Sequence, residues 1–196
     1  MGDIKSAREI AMEKVEKLGG VTEEERLKWK YIPEGEKLAV KYLEENCNLL
    51  AELNNNEDKA RKHVIEGAGS VLVKNIRLPK NEPAKRNNKR AMEGLKILKD
   101  DKVALENVYC KIRRIFDHYA EQGEQQRRQA YESLKAEVGA KLQQMVQQQL
   151  GSNARMNIDV ERQPQFQEEW HKLQNQLDLQ YIKHLDEYKQ ELLSIS

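Results

Sequence analysis

Apolar residues recur along most of this chain at steps of three and four, the spacing of a helix with one buried face. The last segment is the most regular. Phe166, Trp170, Leu173, Leu177, Tyr181, Leu185, Tyr188 and Leu192 stand among Gln, Glu, Asp and Lys. A second stripe, Tyr131, Leu134, Val138, Leu142 and Met145, steps by about 3.5 residues, the coiled-coil repeat. These stripes predict two amphipathic arms over residues 124–150 and 165–193. A lone helix of that length, about 42 Å at 1.5 Å per residue, is marginal in water. Its nearest partner is the other arm, folded back antiparallel. A two-helix hairpin leaves its seam half open, so a protein partner is expected, either a second copy or another helix. Between the arms, Gly151-Ser152-Asn153 ends the first helix. Met156, Ile158 and Val160 then alternate with polar residues, which predicts a short strand or extended clasp over 155–161. Pro164 suits the start of the second arm.

The N-terminal pattern predicts shorter helices. Ser6-Ala7-Arg8-Glu9 has the form of a capping box, with Ile10, Met12, Val15 and Leu18 after it and Gly19-Gly20 as a stop. Thr22 and Glu25 repeat the device before a helix expected to end at Pro33. A further helix is expected from Glu36 to about Asn54, with Leu38, Tyr42, Leu49 and Leu53 near one face, and another from about Glu57 to Leu78. Inside the latter, "IEGAGSVLV" raises the question of a phosphate-cradling loop. Such a loop follows a strand and opens a helix, and neither a third glycine nor Gly-Lys-Ser/Thr is present. Val64, Ile65, Ala68, Val71, Leu72 and Ile76 hold a helical period straight through the glycines. The reading is therefore a helix, kinked or straight, whose small residues admit a neighbour closely, with a strand over "SVLVKNIRL" as the rival.

Residues 78–90, "LPKNEPAKRNNKR", hold two prolines and three asparagines and read as a linker. The predicted organisation is a helical region over 1–78, a basic linker over 79–90 and a long-helix region over 91–196. In the last, Leu98, Leu105, Val108, Ile112, Ile115 and Tyr119 keep heptad-like steps with Asp101 as an interruption. "EQGEQQRRQ" at 121–129 has no apolar residue. The fold class is all-α: short N-terminal helices, then long amphipathic helices in an antiparallel coiled-coil-like hairpin.

Composition agrees with wet helices rather than a thick core: 38% of residues are hydrophobic and 34% charged. The formal net charge of +1 conceals a basic middle. Lys74, Arg77, Lys80, Lys85, Arg86, Lys89 and Arg90 face a single acid, Glu82, over residues 74–90. They are the candidate contacts for nucleic acid or another polyanion, although no aromatic residue is interleaved for base stacking. A solvated linker is the plainer account. No run approaches the length of a membrane span, no signal peptide is recognised, and a cytoplasmic setting is expected. Cys47 and Cys110 lack metal-like spacing and are expected to be buried, reduced thiols.

Candidate chemistry is sparse. Glu168-Glu169-Trp170-His171 contains one Glu-x-x-His, where di-iron bundles use two such motifs and two further glutamates. His118 with Glu121 and His184 with Glu187 pair in the reverse order and read as surface polar pairs. His63 completes the set. Ser70 lacks a nucleophile-elbow context. No catalytic, cofactor or metal residue is assigned. The start "MGDIKSAREIAMEKVEKLG" and the tail "FQEEWHKLQNQLDLQYIKHLDEYKQELL" loosely resemble small bacterial helical proteins of unknown function, a resemblance that implies no activity. The long arms are also similar in shape alone to rotary-ATPase stalk subunits and prefoldin-type hairpins. The expectation is a non-enzymatic, scaffold- or stalk-like interaction protein acting through the seam of the two stripes; the alternatives are a polyanion binder through residues 74–90 and an enzyme whose site is assembled only in space.

Overall fold

The computed structural model describes residues 22–45, 47–55, 57–150 and 159–195. The capping box at Ser6, the helix expected after it and the stop at Gly151-Ser152-Asn153 lie outside the described residues. So do residues 155–158 of the expected clasp. Among the described residues the regular elements are six helices: α1 Glu23–Glu44, α2 Leu49–Asn54, α3 Asp58–Asn75, α4 Glu82–Leu98, α5 Lys102–Leu150 and α6 Pro164–Ser194. The chain is all-α. No described helix is long and apolar enough to cross a membrane.

Two compact units divide the chain. The first takes the described residues up to Asn75 together with Lys89–Asp100; the second takes Ile76–Asn88 and Asp101–Ser196. Helix α4 contributes residues to both.

In the first unit, the Thr22 capping box opens α1. The Glu25 N–H donates to Thr22 Oγ1 at 3.2 Å, and the Thr22 N–H donates to Glu25 Oε2 at 2.8 Å. These bonds hold the Glu25 carboxyl below the usual carboxylate range. Pro33 does not end the helix as expected; α1 continues through it to Glu44. A proline inside a helix loses one backbone bond, but the half that follows it is held by packing. Gly35 and Ala39 are buried against α3. A Cβ on Gly35 would strike the Val64 carbonyl and stand 2.9 Å from the Ala68 nitrogen; one on Gly67 would strike the Ile32 carbonyl and stand 3.1 Å from its Cα. The backbones of α1 and α3 therefore touch at reciprocal glycines. "IEGAGSVLV" is helix, and α3 runs unbroken to Asn75 with no strand in residues 70–78. The helix expected over 36–54 is two: α1 ends at Glu44, and Asn48 caps α2 by accepting from the Ala51 N–H at 3.2 Å. Leu49, Leu53, Val64, Leu72, Ala91 and Leu95 fill this unit's core.

The expected linker at 79–90 is largely helix. Asn81 caps α4, its Oδ1 accepting from the Ala84 N–H at 2.9 Å, and Pro83 lies in the first turn, where a missing N–H is harmless. Asn81 and Pro83, breakers by composition, are start signals here. Within the second unit, Asn88 is buried and its amide holds the Arg77 backbone from both sides. The Arg77 N–H donates to Oδ1 at 2.8 Å, and Nδ2 donates to the Arg77 carbonyl at 2.6 Å. Asp101 is likewise a cap, its Oδ1 accepting from the Ala104 N–H at 2.8 Å. From there α5 continues for 49 residues, straight through Gly123 and the apolar-free 121–129.

Helices α5 and α6 pack antiparallel, from Lys111 beside Glu191 at one end to Gly139 beside Val160 at the other. At the turn end Leu134, Val138 and Phe166 form a buried cluster. The Tyr131 ring stands edge-on to Phe166 at 5.4 Å and to Trp170 at 5.0 Å. Of the expected clasp, residues 159–161 are not strand; they lead into a tight turn closed by the Gln163 N–H on the Val160 carbonyl at 3.1 Å. Pro164 opens α6 as expected.

Candidate functional site

The seam between α5 and α6 is not uniformly apolar. Asp178 is 4% exposed in the same buried row of α6 as Tyr181, Leu185 and Leu192. A buried carboxylate is costly unless paired and hydrogen-bonded, and two elements supply the partners. The Tyr119 hydroxyl of α5 donates to Asp178 Oδ1 at 3.0 Å, and Lys80, from the segment before α4, places Nζ 2.5 Å from Oδ2. Lys80 keeps half its side chain in water, which lowers the cost of burying the acid. Burial first, then the neighbouring Asp178 charge, pushes the Tyr119 phenol up to about 12.

Arg127 and Tyr181 fix the Tyr119 ring. The Arg127 guanidinium lies 4.2 Å from its centroid, donates to the Tyr119 carbonyl at 3.3 Å and pairs with Glu124 at 2.9 Å. Tyr181 stands edge-on to Tyr119 at 5.1 Å, and its hydroxyl lies 3.0 Å from His118 Nδ1. Gly123 makes room for that hydroxyl: a Cβ there would come within 3.1 Å of it. Over the cluster opens a cleft of about 580 Å³, walled by Lys80, Lys85, Tyr119, Arg127, His171 and Asp178. Each charge at its floor already has a counter-charge. The arrangement suits fixing helices and receiving a polar group more than activating a nucleophile.

The thirteen seam residues named from the two stripes distribute as follows. Phe166, Tyr181, Leu185, Leu192, Leu134 and Val138 are buried; Trp170, Leu173, Leu177, Tyr188, Tyr131 and Leu142 are half-buried; Met145 is 48% exposed. The basic stretch is dispersed in its bonding. Lys80 pairs with Asp178, Lys85 with Glu82 at 2.7 Å, and Arg90 lies 5.0 Å from the Tyr42 ring centroid. Lys74, Arg77, Arg86 and Lys89 are exposed. His184 meets Glu187 at 3.4 Å, as its spacing suggests, whereas His118 turns to Tyr181 instead. Ser70 donates to the Gly67 carbonyl at 2.9 Å. Both cysteines are free, but Cys110 is exposed and Cys47 only half-buried, against the expectation of burial. The period of α5 turns Cys110 away from its buried neighbours Val108, Tyr109 and Ile112. Among the described residues no three of His, Cys, Asp and Glu gather as metal ligands.

Asp178 is the residue that periodicity missed. The apolar stripe runs through its neighbour Leu177, although Asp178 stands three residues before Tyr181 and seven before Leu185, on the buried row. That spacing was the available signal.

Compared with known families, residues 50–194 match the model of a family of unknown function, DUF6657. No curated protein and no solved structure matches the chain.

Proposed function

The chain belongs to this family of unknown function, DUF6657, and from that premise we propose that it is a helical assembly protein whose α5–α6 hairpin associates with a second copy of itself. One observation carries the reading. Trp170, Leu173 and Leu177 follow one another at single-turn intervals along one flank of α6, and all three are half-buried. Tyr131 and Leu142 of α5 are half-buried too. Two helices bury only part of an amphipathic stripe, and another helix laid along the flank completes the seam. A formal net charge of +1 sets little repulsion against pairing. A cytoplasmic setting is part of the proposal, and two free thiols are consistent with it.

Sedimentation velocity of the full chain across micromolar concentrations tests it. The expected result is a dimer or larger species that Leu173→Glu with Leu177→Glu converts to monomer while the far-ultraviolet circular dichroism stays helical. A wild-type monomer at every concentration removes the reading.

A second reading rests on the basic stretch. Lys74, Arg77, Arg86 and Lys89 are exposed and make no ion pair among the described residues. On this reading they hold a polyanion, with affinity falling as salt rises. Retention on heparin, lost in Arg86→Glu with Lys89→Glu, supports it; unchanged retention of that variant removes it.

A further inference from the structure

The two flanks of the α5–α6 hairpin differ in chemistry. One carries the Asp178 cleft, with the Glu124 and Asp178 carboxylates in its wall. The other holds a cavity of about 360 Å³ whose walls include Lys111, Arg114, His118, Tyr181, His184 and Tyr188, and no carboxylate among the described residues lines it. Helical period explains the grouping. Lys111, Arg114 and His118 follow at single-turn steps on α5, and Tyr181, His184 and Tyr188 do the same on α6. The antiparallel packing brings the two rows face to face.

These groups are not equally committed. Lys111 Nζ is held by Glu191 at 2.7 Å and lies 5.3 Å from the Tyr188 ring centroid. His184 meets Glu187 at 3.4 Å, and His118 Nδ1 lies 3.0 Å from the Tyr181 hydroxyl. Arg114 is exposed and makes no ion pair among the described residues. An arginine fork matches the geometry of a phosphate or carboxylate oxyanion and binds it through two parallel hydrogen bonds. Aromatic walls beside it favour a ligand with a flat apolar part, and the volume is that of a small-molecule site.

We propose that this cavity binds a phosphate monoester bearing a ring, with the oxyanion on the Arg114 guanidinium and the ring against Tyr181 and Tyr188. The proposal is independent of self-association. Its probes are phenyl phosphate and inorganic phosphate, titrated into the full chain by calorimetry at one pH and ionic strength. The His118 and His184 imidazole resonances are followed in parallel by nuclear magnetic resonance. Saturable binding is expected, several-fold tighter for phenyl phosphate, with both imidazoles shifting. Arg114→Gln weakens it by about tenfold, the loss of hydrogen bonds to a charged group. Arg128→Gln, which removes an exposed cation outside the cavity, leaves it unchanged. Because Arg114 carries no structural bond among the described residues, the variant keeps its helical circular dichroism. The proposal is overturned if neither probe saturates, if inorganic phosphate binds as tightly as phenyl phosphate, or if the two substitutions weaken binding equally.

Discussion

Gly67 and Gly69 are two residues apart on α3, and replacing each by alanine has opposite consequences. In a helix interior glycine is about 0.5–1 kcal/mol worse than alanine, so substitution stabilises wherever the methyl has room. At Gly69 the nearest atom to a new Cβ is Leu98 Cδ1 at 4.0 Å, an ordinary contact. At Gly67 the new Cβ collides with the Ile32 carbonyl, and backbone has no rotamer with which to yield. The helices must part, loosening Ala39, Val64 and Ala68, which are buried at the crossing. Overpacking of this kind costs typically about 1–3 kcal/mol, and more when rigid atoms meet. Because the collision is with backbone, the upper end of that range applies, and subtracting the propensity gain leaves Gly67→Ala destabilised by about 2 kcal/mol. At about 4–8 °C per kcal/mol for a domain of this size, Gly67→Ala lowers the melting temperature of the first unit by roughly 8–16 °C, and Gly69→Ala raises it by roughly 2–8 °C. Thermal and urea unfolding followed by circular dichroism at 222 nm reads both. A Gly67→Ala variant as stable as wild type, or two shifts of the same sign, refutes the reciprocal-glycine crossing.

Three further outcomes are expected. Asn88→Ala strips the Arg77 N–H and carbonyl of their partners and lowers stability by about 1–3 kcal/mol in urea unfolding. His63 is buried with Nδ1 lacking a hydrogen-bond partner among the described residues, the Glu66 carboxylate being 3.6 Å away; His63→Leu therefore holds stability or raises it by about 1 kcal/mol in the same assay. The Tyr119 phenol, held near 12 when folded against about 10 in the unfolded chain, keeps its proton more tightly in the native state. Its contribution is complete below pH 10 and is lost as pH rises towards 12. Tyr119→Phe flattens that part of the stability profile, and tyrosinate absorbance in wild type shows a late-titrating phenol that the variant lacks.

The stripes of α5 and α6 were readable because their apolar steps persist over many turns and no competing structure satisfies them. Thr22 with Glu25 was readable because a capping box is local chemistry that needs no partner helix. The prolines were not. Pro33 breaks a helix by local rules, yet contact of Gly35 and Ala39 with α3 carries α1 past it, and that contact is between residues far apart in sequence. Pro83 and three asparagines look like a linker in composition, although Asn81 and Pro83 are what the start of a helix wants and Asn88 is held inside α4 by the Arg77 backbone. Asp178 was hidden because its partners, Tyr119 and Lys80, are fifty-nine and ninety-eight positions away. Likewise, the cationic cavity joins rows from two helices, and by sequence their tyrosines belong to the apolar seam and their histidines to surface pairs.

Leucine-lined helices tolerate sliding past one another, because one leucine fits the place of the next. Asp178 denies the hairpin that freedom. Shift α6 by one heptad and its carboxylate enters the position of Leu185, dry and beyond reach of both Lys80 and the Tyr119 hydroxyl. The buried acid thus works as an index mark, leaving two long and repetitive helices one register in which to settle.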